Sequence, residues 1–215
     1  MCIEAQGWIL VVVIVMTIDQ RGSRRVGDRV DELLHDLDPG RAVRTFERTV
    51  GDEVQGVYDD PAEAVDVALR VLRTGGWSVG IGVGPVDEPL PASARAAGGP
   101  AFVLARAAVE AAKSRARTVP LAVRGFDDGA GRDAEAVLVL VAAVAARRSE
   151  AGWVVADAMS AGEVRQEVVA ASLGVSQQAV SQRLRTALWT EEQAARRAAA
   201  RLLALAEGVR EDRGA

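Results

Sequence analysis

Two acids and a short glutamine-rich run are the residues of this chain best suited to chemistry. Asp19 closes an apolar run that starts at Trp8. Asp52 follows Gly51 in FERTVGDEVQG (46–56), where polar–apolar alternation stops at a tight turn and then resumes. The order of elements set out below brings the two carboxylates to one edge of a sheet. Close carboxylates repel, and each raises the other's pKa unless a cation or a donor intervenes. A hard divalent cation, held by the carboxylates and by substrate phosphates, is one resolution. The alternative is that both acids are solvated turn residues that never meet a ligand.

The second candidate is RQEVVAASLGVSQQAVSQRLRTAL (165–188). Ala170, Gly174, Val180 and Leu184 stand at spacings of four, six and four. Two short helices crossing at a wide angle need those types: a small residue for close approach, a glycine for the turn, apolar residues for the shared core. Ser176 is placed to cap the second helix. That helix, 177–188, sets Val180 and Leu184 against Gln177, Gln178, Ser181, Gln182, Arg183 and Arg185. Glutamine and arginine suit base edges, and serine suits phosphates. With Ser176, these residues are predicted to contact double-stranded DNA. The run resembles the recognition helix of many bacterial regulators, and the same pattern also serves protein-interaction modules. No residue is assigned a catalytic role.

Charge agrees mildly with a nucleic-acid partner. Between 160 and 205, Arg165, Arg183, Arg185, Arg196, Arg197 and Arg201 face Glu163, Glu167, Glu191 and Glu192, an excess of two positive charges. The 215-residue chain has a net charge of -4, so this is a local reversal of sign. Such a reversal is the footprint of a binding face, whereas the total excludes a global basic field. The lone cysteine, Cys2, excludes an internal disulfide framework and CxxC-type zinc sites. The run from Trp8 to Ile18 is shorter than the roughly 20 residues of a membrane-spanning helix, and only Glu4 precedes it where a signal peptide carries basic residues. A soluble, cytoplasmic protein with no membrane partner is expected.

The elements that must position these residues follow from periodicity. The β-branched run 8–18 reads as a strand buried on both faces. A helix over 24–37 carries Val26, Val30, Leu33, Leu34 and Leu37, and Pro39-Gly40 ends it. Strands at 41–50 and 53–58 form a hairpin through Gly51-Asp52. A helix opens at Pro61, a strand follows at 77–86, then a helix at 100–116 and a short strand at 119–123. The order β-α-β-β-α-β, then α and β, is the ferredoxin-like split arrangement with an extension, an α+β fold. Its right-handed crossover sets strand one beside strand three, antiparallel.

Past residue 125 the composition turns to Ala, Arg, Glu and Leu, and GFDDGAGRD (125–133) reads as a linker. Two domains are therefore predicted, an α+β domain over 1–125 and an all-helical domain over 132–210. The helix at 133–147 is apolar nearly all round and should be buried between domains or at a dimer seam. The last helix, 190–207, sets Ala194, Ala198, Leu202 and Leu205 on one stripe. Trp153 and Trp189 are expected as core or interface anchors, and His35 at the surface. GIGVG (80–84) has no helix opening on it, so its glycines are read as admitting a close helix rather than a dinucleotide.

Several of these stretches resemble class III nucleotide cyclases. DQRGS (19–23) is similar to the Asp-x-x-Gly-Ser after their first strand, ERTVGDE (47–53) to their Lys-Thr-Ile-Gly-Asp hairpin, and SVGIGVGPV (78–86) to their Gly-Ile-x-x-Gly-x-Val strand. GGPAFVLARAAVEAA (98–112) stands where they carry an Asn-x-x-x-Arg helix. The whole set resembles most the SatD family, small bacterial proteins with a cyclase-like front domain often followed by a helix-turn-helix. The resemblance implies Asp19 and Asp52 as metal ligands, and Arg48, Gly51, Ser23 and Arg106 around a nucleotide, with Mg²⁺ as the accompanying ion. It departs where Val103 and Leu104 occupy the Asn neighbourhood, which removes groups needed to position a transferring phosphoryl group.

The reading is a DNA-binding transcriptional regulator, expected as a homodimer, whose cyclase-like front domain senses a ligand or dimerises without turnover. The alternative is a metal-dependent nucleotide-processing enzyme of the class III cyclase type using Asp19 and Asp52. A structural adaptor that binds protein through its helical unit is a third.

Overall fold

The computed structural model describes residues 12–37, 42–162 and 165–208. Cys2, the start of the first strand at Trp8, the Pro39-Gly40 stop, Arg41 and Glu163 lie outside the described residues.

The apolar first run forms β1 (Val12–Gln20), the middle strand of five. Both of its faces are buried, Val13 and Val15 on one side and Ile14, Met16 and Ile18 on the other. Its neighbours are β3 (Glu53–Tyr58) and β4 (Trp77–Pro85), both antiparallel to it. β2 (Arg44–Arg48) pairs with β3 at one edge, and β5 (Leu121–Gly125) runs parallel to β4 at the other. The order β2-β3-β1-β4-β5 sets strand one beside strand three, as the crossover requires.

On the face of Ile14, Met16 and Ile18, α2 (Val30–Asp36) and α3 (Pro61–Thr74) cover the sheet. Asp60 caps α3 by accepting from the Ala62 N–H at 2.8 Å, and Pro61 fills its first turn. The helix expected over 24–37 is broken in two. A short α1 (Ser23–Val26) ends at Gly27, whose φ of 84° no helix continues, and Val26 is left exposed. The buried Gln20 side chain holds the break: its amide donates to the Gly27 carbonyl at 2.6 Å and its carbonyl accepts from the Arg29 N–H at 2.8 Å.

The face of Val13 and Val15 carries α4 (Pro100–Ala112), which ends four residues earlier than periodicity suggests. The β4 glycines do admit this helix. A Cβ on Gly80 would lie 2.2 Å from the Val109 nitrogen, and one on Gly82 2.2 Å from the Ala105 nitrogen. The helix backbone therefore rests on the strand with no side-chain layer between them.

The stretch read as a linker is instead the start of a helix. Asp127 caps α5 (Asp128–Ala145) by accepting from the Ala130 N–H at 2.8 Å, and Gly131 lies against the backbone of Gly125. The core does not divide there. Leu138 and Val141 of α5, with Ala199 and Leu203 of α9 (Trp189–Leu205), join the cluster that holds Ile14, Met16 and α3. Leu140 is exposed, so α5 is buried on one side rather than all round. The buried stripe of α9 is Ala195, Ala199, Leu203 and Ala206, one residue displaced from the predicted one, and Leu205 faces out. Six alanines on this helix blur its apolar stripe, and packing against α5 decides the register.

Between α5 and α9 the chain makes an excursion: α6 (Glu150–Ser160), α7 (Gln166–Leu173) and α8 (Gln177–Thr186). They enclose their own small core of Val155, Val169, Ala170, Val180 and Leu184, with Met159 and Trp189 at its margin. No helix among the described residues is long and apolar enough to cross a membrane.

Candidate nucleic-acid interface and the acidic sheet edge

Local sequence builds the α7–α8 unit as its spacing demands. Gly174 takes the left-handed conformation (φ 64°, ψ 31°) that ends α7, and the Val175 N–H returns to the Ala170 carbonyl at 3.0 Å. Ser176 then caps α8 by accepting from the Ala179 N–H at 3.2 Å. Val180 and Leu184 turn into the small core together with Ala170.

The opposite side of α8 faces solvent. Ser176, Gln177, Gln178, Gln182 and Arg185 are exposed, while Ser181 and Arg183 are half-buried on its flanks. Arg185 donates to the Ser181 hydroxyl at 3.2 Å and to the Gln182 carbonyl at 2.7 Å, and Gln177 donates to Glu167 at 2.9 Å. These bonds are local and exposed, so an incoming partner exchanges them at little cost. Arg196, counted in the local charge excess, belongs elsewhere: it binds Glu192 and Asp66.

The acidic edge is assembled differently. Asp19 lies opposite Glu53 in the β1–β3 register, and the Gln20 N–H donates to the Asp52 carbonyl at 3.3 Å, so both predicted carboxylate residues share this edge. Burial raises the Asp19 pKa, and the nearby Asp52 and Glu53 charges push the same way. Lys113, just past α4, opposes them, its ammonium 2.9 Å from Asp19. Sequence reasoning missed Lys113. The only local signal is a basic residue at a helix end, which ordinarily means favourable interaction with the helix dipole.

That ammonium occupies the place a cation would take on Asp19. Among the described residues no group of three or more His, Cys, Asp or Glu side chains is placed to hold a metal. Asp19 as placed does not fit a divalent cation, which would have to stand beside Lys113 or displace it.

Of the four residues proposed around a nucleotide, Arg48 and Gly51 meet, whereas Arg106 lines a groove that includes none of the other three. Arg48 reaches Asp28 at 2.7 Å, Asp31 at 3.3 Å and the Gly51 carbonyl at 3.1 Å. Hydrogen bonds from Arg48 and from the Val30 N–H hold the Asp28 carboxyl below the usual range. Ser23 opens α1, and neither it nor Arg48 lines the groove that contains Arg106. That groove, about 620 Å³, runs between the hairpin residues Thr49 and Val50 and the exposed side of α4.

No protein-family model matches the chain, and no curated protein and no solved structure is detectably similar to it.

Proposed function

We propose that the protein is a DNA-binding transcriptional regulator in which α7 and α8 act as a helix-turn-helix and α8 enters the major groove. One observation carries this reading: α8 buries Val180 and Leu184 while presenting Gln177, Gln178, Gln182 and Arg185 to solvent without cover from the sheet half. Side chains of that chemistry on one exposed helix can read base edges, with Ser176 and Arg183 placed for the backbone. The ferredoxin-like, cyclase-like description of the sheet half and membership of the SatD family belong to the same proposal. So do a cytoplasmic setting and a homodimer, whose two recognition helices would meet half-sites about 34 Å apart.

The pairing of Asp19 with Lys113 favours a sheet half without metal-dependent turnover. Selection of bound duplexes from a random pool, using the full chain, tests the reading. Enrichment of a defined motif supports it, and failure to retain any duplex at low salt favours the protein-binding adaptor. Few basic residues surround α8, so the salt dependence should be shallow, with a log–log slope of about -3 to -5.

A further inference from the structure

α5 turns Leu138 and Val141 into the core and leaves its other side to solvent. The centre of that side is Leu140, 66% exposed. One exposed leucine is ordinary on a protein surface, but the residues around this one are ordered about it.

Asp133 stands seven residues before Leu140 and Arg147 seven after. Positions seven apart lie about 20° from one another around a helix, so all three share one stripe. The Arg147 N–H still bonds the Val144 carbonyl at 3.1 Å, which carries the stripe past the last turn. Ala136 and Val144 lie four residues either side of Leu140, and Val137 and Ala143 three. Each inner pair thus joins a small side chain with a branched one, and the outer pair joins an acid with a base. Asp133, Ala136 and Arg147 are exposed, and Val137, Ala143 and Val144 are half-buried.

The two outer charges are unspent. Arg147 donates to the Ala143 carbonyl of its own turn at 3.2 Å, and neither it nor Asp133 is in an ion pair among the described residues. Other charges of the helix are paired: Arg132 with Asp128, and Glu135 with Arg117 and Arg124.

A two-fold axis turns this order into complementarity. In an isologous contact, residue i of one copy meets residue j of the other, and j meets i. Laid antiparallel across Leu140, two α5 helices pair Leu140 with itself, Ala136 with Val144, Val137 with Ala143, and Asp133 with Arg147. Each branched side chain faces an alanine, so the helices interdigitate, and opposite charges close both ends. A parallel arrangement would set each charge against its own kind, which is repulsive at both ends.

We infer that α5 is the seam of a homodimer, two copies pairing antiparallel across Leu140. This rests on the homodimer of the proposed function and names its surface, and it uses no residue of α8. One helix from each copy buries less than about 1,200 Å², so the dimer is reversible, with a Kd of about 1–100 µM.

Sedimentation equilibrium of the full chain without DNA, over about 1–200 µM, tests it. A reversible monomer–dimer equilibrium is expected. Leu140→Asp should weaken it at least about thirtyfold and, at an exposed position, leave the melting temperature of dilute protein unchanged. Asp133→Arg and Arg147→Asp each put like charges at both ends of the seam and should weaken it at least about tenfold. An equimolar mixture of those two variants restores opposite charges at both ends and should dimerise about as well as the parent chain, which a merely destabilised fold would not do. A chain that is monomeric at about 200 µM overturns the inference. So does a dimer that Leu140→Asp leaves intact, or a mixture of the charge variants no more associated than either alone. With no DNA present, these failures are distinct from a failure to enrich a duplex.

Discussion

The acidic sheet edge and the outer side of α8 were the two places where residue types suggested chemistry, and they differ in how their charges are spent. At the edge, Asp19 is tied to Lys113, and Arg48 is tied to Asp28 and Asp31. On α8, Arg185 hydrogen-bonds only neutral side chains of its own helix, the exposed Gln182 and the half-buried Ser181. A charge already paired inside a fold must lose its partner before it serves a ligand. A charge resting on exposed amides loses almost nothing. That difference is why α8, and not the edge, is the surface proposed here for a DNA partner.

Five substitutions would break or sharpen the contrast. The largest effect is expected from Val180→Asp, which puts a carboxylate into the small core behind α8 at a cost of about 3 kcal/mol or more. Duplex retention should vanish, and hydrogen exchange should show α6–α8 opening while β1 and β4 stay protected. Equal loss of protection in the sheet would show that the two cores unfold as one.

Next in size is Glu135→Gln. The Glu135 carboxyl is partly buried, which alone would raise its pKa. The Val123 N–H at 2.8 Å and the Arg117 guanidinium at 2.7 Å outweigh that and lower it. A lowered acid pKa gives stability that is present above the unfolded value, about 4.3, and lost as pH falls through the folded one. The variant should lose about 2 kcal/mol at neutral pH in a denaturant melt and show a flatter acid dependence below about pH 4.

Arg185→Ala should weaken a selected duplex about tenfold with an unchanged melting temperature, whereas Arg48→Ala should leave duplex affinity alone. If the two variants behave alike, α8 is not the reading element.

The smallest effect belongs to Asp19→Asn. Its carboxyl pKa is raised in the fold, so its contribution is greatest below the unfolded value and is lost as pH rises through the folded value. Removing the charge at neutral pH relieves a buried anion but leaves Lys113 without it, for a net change within about 1 kcal/mol. Thermal melts at two pH values check this. A large loss would show that the ion pair outweighs burial.

Much of the fold was legible because single residue types forced it. A β-branched run with no polar break had to be a central strand, and Gly80 and Gly82 had to admit a helix backbone. Ala170, Gly174, Val180 and Leu184 fixed the α7–α8 turn, since each position has a steric requirement that few residues meet. What escaped was set by distant partners. Gln20 reads as an ordinary strand end until its amide is seen bridging Gly27 and Arg29. Lys113 is a plain helix terminus until Asp19 arrives from β1. GFDDGAGRD has linker composition, yet Asp127 caps a helix there, and its glycines allow α5 to sit on β5.

The bracketing of α6–α8 by two helices of the sheet's core changes how the molecule could be cut. Truncation after residue 125 would strip α5 and α9 from β5 and α3 and open the core that holds Leu121 and Val123 to water. The surgically separable piece is internal. Arg148 already bonds the Ala187 carbonyl, so the two ends of the excursion stand side by side. A few glycines joining them should leave a closed sheet protein and release the helical trio as a cassette.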